Sequence, residues 1–193
     1  MTTALLVIDA QQSFLQRESW TAASDPKIAT TIARLVEHHR DRGDRIVWVL
    51  HTEPGSGTVF DPERGFVQLM DGLAPAEGEP VRTKTVHNAF TGTDLAEVLA
   101  GWGVDEVTVC GVRTEQCCET TARVASDLGF RVTFAVDATA TEPIEAPGSP
   151  EGRPLAEVLA DPRTLLPEDI VTRTVYALSG RFADVRTVAE IIG

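Results

Sequence analysis

Short apolar runs alternate with helical patterns along the whole chain, and this alternation restricts the possible folds more than any other feature. Five of the runs are rich in β-branched residues and nearly continuous in apolar character, as strands covered on both faces must be. They lie at residues 3–9, 45–51, 106–112, 131–137 and 170–176. The pattern predicts a three-layer α/β/α fold with a mostly parallel sheet of five or six strands in Rossmann-like order.

Four segments between and after these runs carry helical signals. The first is the clearest, since Asp25 can cap it, Pro26 suits its first position and Gly43 can end it. Five of its side chains fall on one face and are predicted to be buried: Ile28, Ile32, Leu35, Val36 and His39. Three further helices are predicted at residues 94–100, 114–128 and 182–192.

Two long segments, residues 52–65 and 138–169, have no clear secondary-structure signal. Loops of this length in a compact domain are more often lids or oligomer contacts than linkers. Neither divides the chain into two core-sized pieces, so a single domain over residues 1–193 is expected.

The charge balance restricts the partners. The chain has 17 Lys and Arg against 29 Asp and Glu, a net charge of −12, which repels nucleic acid and anionic membranes. No apolar run approaches the ~20 residues of a membrane span, and the first strand-like run lacks the basic flank of a signal peptide. We therefore expect a cytoplasmic protein with a small-molecule partner, without nucleic acid or membrane partners.

Three cysteines lie close together, at Cys110, Cys117 and Cys118. Their odd number and spacing fit neither a disulfide framework nor a metal site, so reduced thiols are expected. If Thr114 caps the following helix, Cys117 occupies its third position, where free N–H groups and the helix dipole favour a thiolate. Cys118 points about 100° away and is predicted to pack in the core.

In an open parallel sheet, ligands bind outside the carboxyl ends of the strands, which directs attention to Asp9, His51, Asp137 and residues 111–114. The glycine motifs of nucleotide-binding folds are absent from these positions. A nucleophilic cysteine also needs a proton acceptor and a charge stabiliser. Asp9 and Lys84, the latter in a short extended segment at residues 81–86, are the candidates.

Three separated segments carry a family resemblance. Residues 5–14 (LLVIDAQQSF), 84–95 (KTVHNAFTGTDL) and 111–123 (GVRTEQCCETTAR) resemble, in order and spacing, the signature blocks of the isochorismatase-like cysteine hydrolases. The resemblance extends through Asp137 and is loose beyond it. It implies that Cys117 attacks a carbonyl carbon, that Asp9 moves the thiol proton to the leaving amine, and that Lys84 lowers both pKa values.

The same resemblance implies further site residues. The backbone N–H groups of Arg113 and Cys117 would form an oxyanion hole, and the peptide bond between Val112 and Arg113 would be cis. Three more side chains fall on family positions near the substrate pocket: Gln11, Phe14 and Phe90. Because the family usually associates, a homo-oligomer, a dimer or larger, is expected.

Two departures from the family limit the substrate. Relatives that hydrolyse nicotinamide carry an Asp-x-His metal motif after the second strand, where this chain has His51, Thr52 and Glu53. Two such ligands are too few for a catalytic metal, so neither a metal nor a cofactor is expected. The histidine that many relatives carry after the fifth strand is also missing.

Because isochorismate-cleaving members work without a thiol, an intact Cys117 favours cleavage of an amide, ureide or imide C–N bond through a thioester. The alternatives are a vinyl-ether hydrolase and a non-catalytic binding subunit with the same fold.

Overall fold

The computed structural model describes residues 2–193 and contains a six-stranded sheet in which all neighbouring strands are parallel. In chain order the strands are β1 (Thr3–Ile8), β2 (Arg45–His51), β3 (Val81–Lys84), β4 (Glu106–Val112), β5 (Arg131–Ala140) and β6 (Asp184–Arg186). Their order across the sheet is β3-β2-β1-β4-β5-β6. The predicted three-layer α/β/α class is confirmed.

Helices cover both faces of the sheet. They are α1 (Gln12–Leu15), α2 (Ile28–Asp41), α3 (Leu95–Gly101), α4 (Glu119–Asp127), α5 (Leu155–Ala160), α6 (Pro167–Leu178) and α7 (Val188–Ile192). Apolar residues of α3, α4 and α6 form one core with the sheet, and those of α2 and α7 form the other. Alternate residues of β1 enter opposite cores, since Leu6 packs into the first and Leu5 into the second.

The first predicted helix begins two residues later than expected. Asp25 Oδ1 accepts a hydrogen bond from the Lys27 N–H at 2.8 Å, and α2 starts at Ile28. All five side chains of its predicted apolar face are buried. The sequence pattern therefore located this helix and its buried face.

The predicted strand at residues 170–176 is wrong, because these residues lie in α6. The buried positions of α6 are Pro167, Ile170, Thr174 and Leu178, and this spacing is helical, with Pro167 in the first turn. The abundance of β-branched residues concealed that period.

The predicted helix at residues 182–192 is also partly wrong. Its first half contains β6, and only Val188–Ile192 is helical. The helix starts at a capping box, in which the Thr187 side chain accepts from the Glu190 N–H and the Glu190 side chain accepts from the Thr187 N–H.

β5 continues beyond the predicted residues 131–137 to Ala140. Its pairing with β4 is irregular, since Val109 pairs with Phe134 whereas Gly111 pairs with Thr139. The extra residues of β5 in this bulge bring its end beside the turn that follows β4.

Within the described part of the chain, we find no helix with the length and apolar character needed to cross a bilayer.

Candidate active site

The strand order reverses between β1 and β4, and the polar side chains at the carboxyl ends of these strands come together there. Asp9 directly follows β1, is fully buried and has a positive φ of 49°. Aspartate adopts this left-handed conformation more readily than most residues. Its backbone N–H donates to the Val49 carbonyl oxygen at 2.8 Å, so Asp9 remains anchored beside β2.

Lys84 is the last residue of β3, and its side chain reaches across β2 to the end of β1. Its Nζ donates to Asp9 Oδ2 at 2.6 Å and to Cys117 Sγ at 3.4 Å. All three side chains are buried. The structure therefore brings together the carboxylate, the ammonium group and the thiol that the sequence singled out.

Cys117 lies in a π-helical turn, Thr114–Cys118, that joins β4 to α4. Wide turns of this kind occur often at functional sites. At the end of β4, Gly111 has a φ of 128°, and a Cβ there would lie 1.8 Å from the Ile8 carbonyl oxygen. Glycine therefore permits β4 to approach β1 closely enough to bring Cys117 to Asp9.

The predicted cap of this turn is wrong. The residue preceding the turn is Arg113, which makes no side-chain cap, and Thr114 Oγ1 instead donates to Thr139 Oγ1 at 2.9 Å. The bulged end of β5 supplies this partner, and it does so from 25 residues away. The peptide bond between Val112 and Arg113 is cis.

Burial opposes ionisation of the Cys117 thiol. Burial and, to a smaller extent, the Asp9 charge raise the pKa of Cys117 to about 12, although the Lys84 charge acts in the opposite direction. Burial also raises the pKa of Asp9, again opposed by Lys84. Burial therefore acts against the thiolate that the lysine charge and the helix start were expected to favour.

The other two cysteines are fully buried, Cys118 in the core beside α4 and Cys110 in the core beside α2. Burial raises the pKa of both thiols. Of the three thiols, Cys117 has the greatest exposure, at 7%.

The three predicted pocket residues have different surroundings. The Gln11 side chain is fully buried and binds the backbone of His51. Phe14 packs against Trp20 and Phe60, with ring centroids 5.9 and 5.1 Å away. Phe90 stacks on Phe130 at 6.1 Å between centroids. Phe14 and Phe90 are therefore buried aromatic residues of two different cores.

The possible metal ligands form only a pair. His51 Nε2 lies 3.3 Å from Glu53 Oε1. Among residues 2–193 there is no group of three or more His, Cys, Asp or Glu side chains arranged to hold a metal ion.

A cavity of about 400 Å³ adjoins the Cys117 turn. Its lining includes Arg17, Ser19, Arg113, Gln116, Ile144 and Arg153. The signature block at residues 111–123 supplies Arg113 and Gln116, whereas Ile144 and Arg153 come from the segment 138–169, which gave no secondary-structure signal.

The Arg113 side chain is held beside that cavity by the Glu115 carboxylate and the Glu142 backbone. Its Nε lies 3.3 Å from Glu115 Oε1 and its Nη2 donates to the Glu142 carbonyl oxygen at 3.1 Å. The Glu142 carboxylate is buried and accepts from Ser19 Oγ at 2.5 Å. No local sequence pattern marks Glu142, because its partners Ser19 and Arg113 are far away in the chain.

A parallel α/β sheet with a buried cysteine, aspartate and lysine at its strand-order reversal is the arrangement that the resemblance to the isochorismatase-like hydrolases implied. The family model of the isochorismatase domain matches residues 3–146. The chain belongs to the isochorismatase family.

Individual relatives agree with this assignment. The isochorismatase family protein YddQ of Bacillus subtilis is 34% identical over 146 residues, which are 75% of this chain and 81% of that protein. A streptothricin hydrolase of Streptomyces noursei is 36% identical over 146 residues, 74% of this chain and 51% of that protein. The crystal structure of an isochorismatase from Pseudomonas putida is 31% identical, with a TM-score of 0.83 over 97% of this chain and 89% of that one. Membership of this family supports the assignment of the chain as a hydrolase.

Proposed function

We propose that this protein is a cysteine hydrolase that cleaves the C–N bond of a small amide, ureide or imide through a thioester. One observation carries the proposal: Lys84 Nζ lies 2.6 Å from Asp9 Oδ2 and 3.4 Å from Cys117 Sγ, with all three side chains buried. A thiol beside a carboxylate and a fixed positive charge is the arrangement that nucleophilic catalysis needs.

The raised pKa values of Cys117 and Asp9 suit a reaction that starts from the neutral thiol. As sulfur attacks the carbonyl carbon, the thiol proton moves to Asp9. This transfer leaves the net charge of the buried group unchanged, so burial opposes it much less than it opposes loss of the proton to solvent. The positive charge of Lys84 remains beside both partners throughout.

The remaining steps of acylation follow from the same groups. Attack converts the carbonyl into a tetrahedral oxyanion. We assign the stabilisation of its negative charge to the backbone N–H groups of Arg113 and Cys117. Asp9 then gives its proton to the leaving nitrogen as the C–N bond breaks. The products of this half-reaction are a free amine or ammonia and a thioester on Cys117.

A screen for ammonia release over small amides and ureides tests the proposal. We expect turnover of at least one compound, and a loss of about 10³-fold or more in Cys117→Ala. Cys118→Ser is the matched control and should retain most activity, because that neighbouring thiol packs in the core. Equal turnover by the Cys117→Ala variant would exclude the thioester route. Vinyl-ether cleavage without ammonia release would favour the alternative hydrolase.

A further inference from the structure

His51 lies beside the three proposed catalytic residues, yet the acylation steps do not use it. It ends β2, and its Cα pairs with that of Lys84 in the register between β2 and β3. It is also close enough to Asp9 for its charge to act on the pKa of that carboxyl group.

Contacts on several sides fix His51 in place. The Gln11 side-chain oxygen accepts from the His51 N–H at 2.8 Å, and the Gln11 side-chain NH₂ donates to the His51 carbonyl oxygen at 3.1 Å. Because Gln11 follows Asp9 by two residues, this pair of bonds holds the end of β2 against the segment that carries the carboxylate. The imidazole ring packs against Phe60 edge to face, with 5.6 Å between ring centroids.

The contact with Glu53 determines which ring nitrogen stays available. His51 Nε2 lies 3.3 Å from Glu53 Oε1, and an ionised carboxylate can only accept a hydrogen bond. In the neutral ring the hydrogen is therefore on Nε2, and Nδ1 keeps its lone pair. In this neutral form of the ring, Nδ1 is a buried acceptor.

Two acceptors in this region lack a partner. Neither His51 Nδ1 nor Asp9 Oδ1 has a hydrogen-bond partner within the described chain, although both atoms are buried. Such atoms are rare in folded proteins and indicate a missing donor. Once Cys117 is a thioester it has no hydrogen to donate, so Asp9 Oδ1 stays open at that stage of the reaction.

We propose that His51 Nδ1 and Asp9 Oδ1 together hold the water molecule that hydrolyses the thioester. The inference rests on the proposed thioester route. A water molecule offers two hydrogens, one for each of these two unpartnered acceptors. His51 is then a positioning residue for the second half of the reaction.

The step balances without any further reactant. Asp9 takes one proton from the water as the water oxygen bonds to the thioester carbonyl carbon. The C–S bond then breaks, and Asp9 passes that proton to the sulfur. The carboxylic acid leaves, Cys117 returns to a thiol and Asp9 to a carboxylate, while His51 only accepts a hydrogen bond.

The test separates the two half-reactions with p-nitrophenyl acetate as the probe. Acetylation of Cys117 releases p-nitrophenolate in a burst, and the later steady rate reports hydrolysis of the acetyl-enzyme. In His51→Leu we expect the burst to persist and the steady rate to fall about 100-fold, because the water loses its second contact. Mass spectrometry should show acetyl groups accumulating on Cys117.

Two further variants make the result specific. His51→Asn can place an amide oxygen near the position of Nδ1, so it should recover part of the steady rate. His38→Asn makes the same substitution near the end of α2, beside Thr3 and Glu106 at the amino ends of β1 and β4, and should behave like the unaltered protein.

Three outcomes would overturn the inference. An unchanged steady rate in His51→Leu would exclude a role in deacylation while leaving the proposed function intact. Equal loss of burst and steady rate in both His51 variants would indicate a structural role alone. Failure of Cys117 to become acetylated in the unaltered protein would overturn the proposed function and, with it, this inference.

Discussion

The Lys84 ammonium group donates to the Asp9 carboxylate at 2.6 Å, across 75 residues of sequence and with both side chains inaccessible to solvent. The lysine starts at the end of β3 and passes over β2 to reach the end of β1. Two charges in such a place are tolerated because each compensates the other. Removing one partner therefore has a larger effect than removing both.

Lys84→Met is expected to lower the free energy of unfolding by about 3–5 kcal/mol, since it leaves Asp9 as an uncompensated buried charge. The double variant Asp9→Asn/Lys84→Met should recover most of that loss, and asparagine tolerates the positive φ of position 9. Urea denaturation at neutral pH measures both values. Additive losses of unfolding free energy from the two substitutions would show that the Asp9 and Lys84 charges do not compensate each other.

Iodoacetamide should label Cys117 before Cys110 or Cys118, because it is the one of the three with measurable exposure. The labelling should be slow at neutral pH and should accelerate as the pH rises through the alkaline range, since only the thiolate reacts and its pKa is raised to about 12. Peptide mass spectrometry over a pH series checks this. Rapid labelling that is independent of pH above neutrality would show that Cys117 rests as a thiolate.

Gly111→Ala should strongly destabilise the protein and abolish activity. Its added Cβ would meet the Ile8 carbonyl oxygen at 1.8 Å, and alanine disfavours a φ of 128°. β4 would have to move away from β1, and Cys117 away from Asp9.

Gly101→Ala is the matched control for this change, because that helical glycine has open space around it. The control should be neutral or more stable by up to about 1 kcal/mol. Thermal unfolding of both variants measures these changes in stability. A Gly111→Ala protein as stable as the unaltered protein would contradict the close approach of β4 to β1.

His39 should make the fold sensitive to acid. Burial lowers its pKa, opposed by a hydrogen bond to Asp44 at 2.9 Å, so the folded state binds a proton less readily than the unfolded chain. Its contribution to stability is present above the ordinary pKa of histidine, about 6.5, and is lost as the pH falls below it.

In His39→Gln, the loss of stability that accompanies protonation of His39 should disappear, whereas His38→Gln should keep it. Urea denaturation at a series of pH values between neutral and moderately acidic compares the three proteins. Parallel curves for all three would exclude His39 as the source.

Activity should survive exhaustive chelation, because the proposed steps use only Cys117, Asp9, Lys84, His51 and backbone N–H groups. His51 and Glu53 fall short of the three protein ligands usual for catalytic zinc. Dialysis against a chelator, followed by the ammonia-release assay, measures this. Loss of turnover that zinc or iron restores would show that a metal takes part.

Much of the architecture was readable from local patterns. The limits of β2 and β4 match the apolar runs at residues 45–51 and 106–112, because a strand buried on both faces must be apolar throughout. The buried face of α2 followed from its helical period. By contrast, residues 170–176 have an ambiguous composition, and packing against neighbouring helices made them helical.

Asp9, Lys84 and Cys117 could be selected from sequence because residue type and position at strand ends restrict where chemistry can occur. The ionisation of these residues could not be predicted from sequence, because it depends on how far folding removes each group from water. The same limit applies to Thr114, whose partner Thr139 is brought near by a bulge, and to Arg113, whose partner Glu142 lies 29 residues away. Local patterns specify elements and candidate residues; distances and burial between distant segments arise only when the chain packs, and they set the charge state and partners of each site residue.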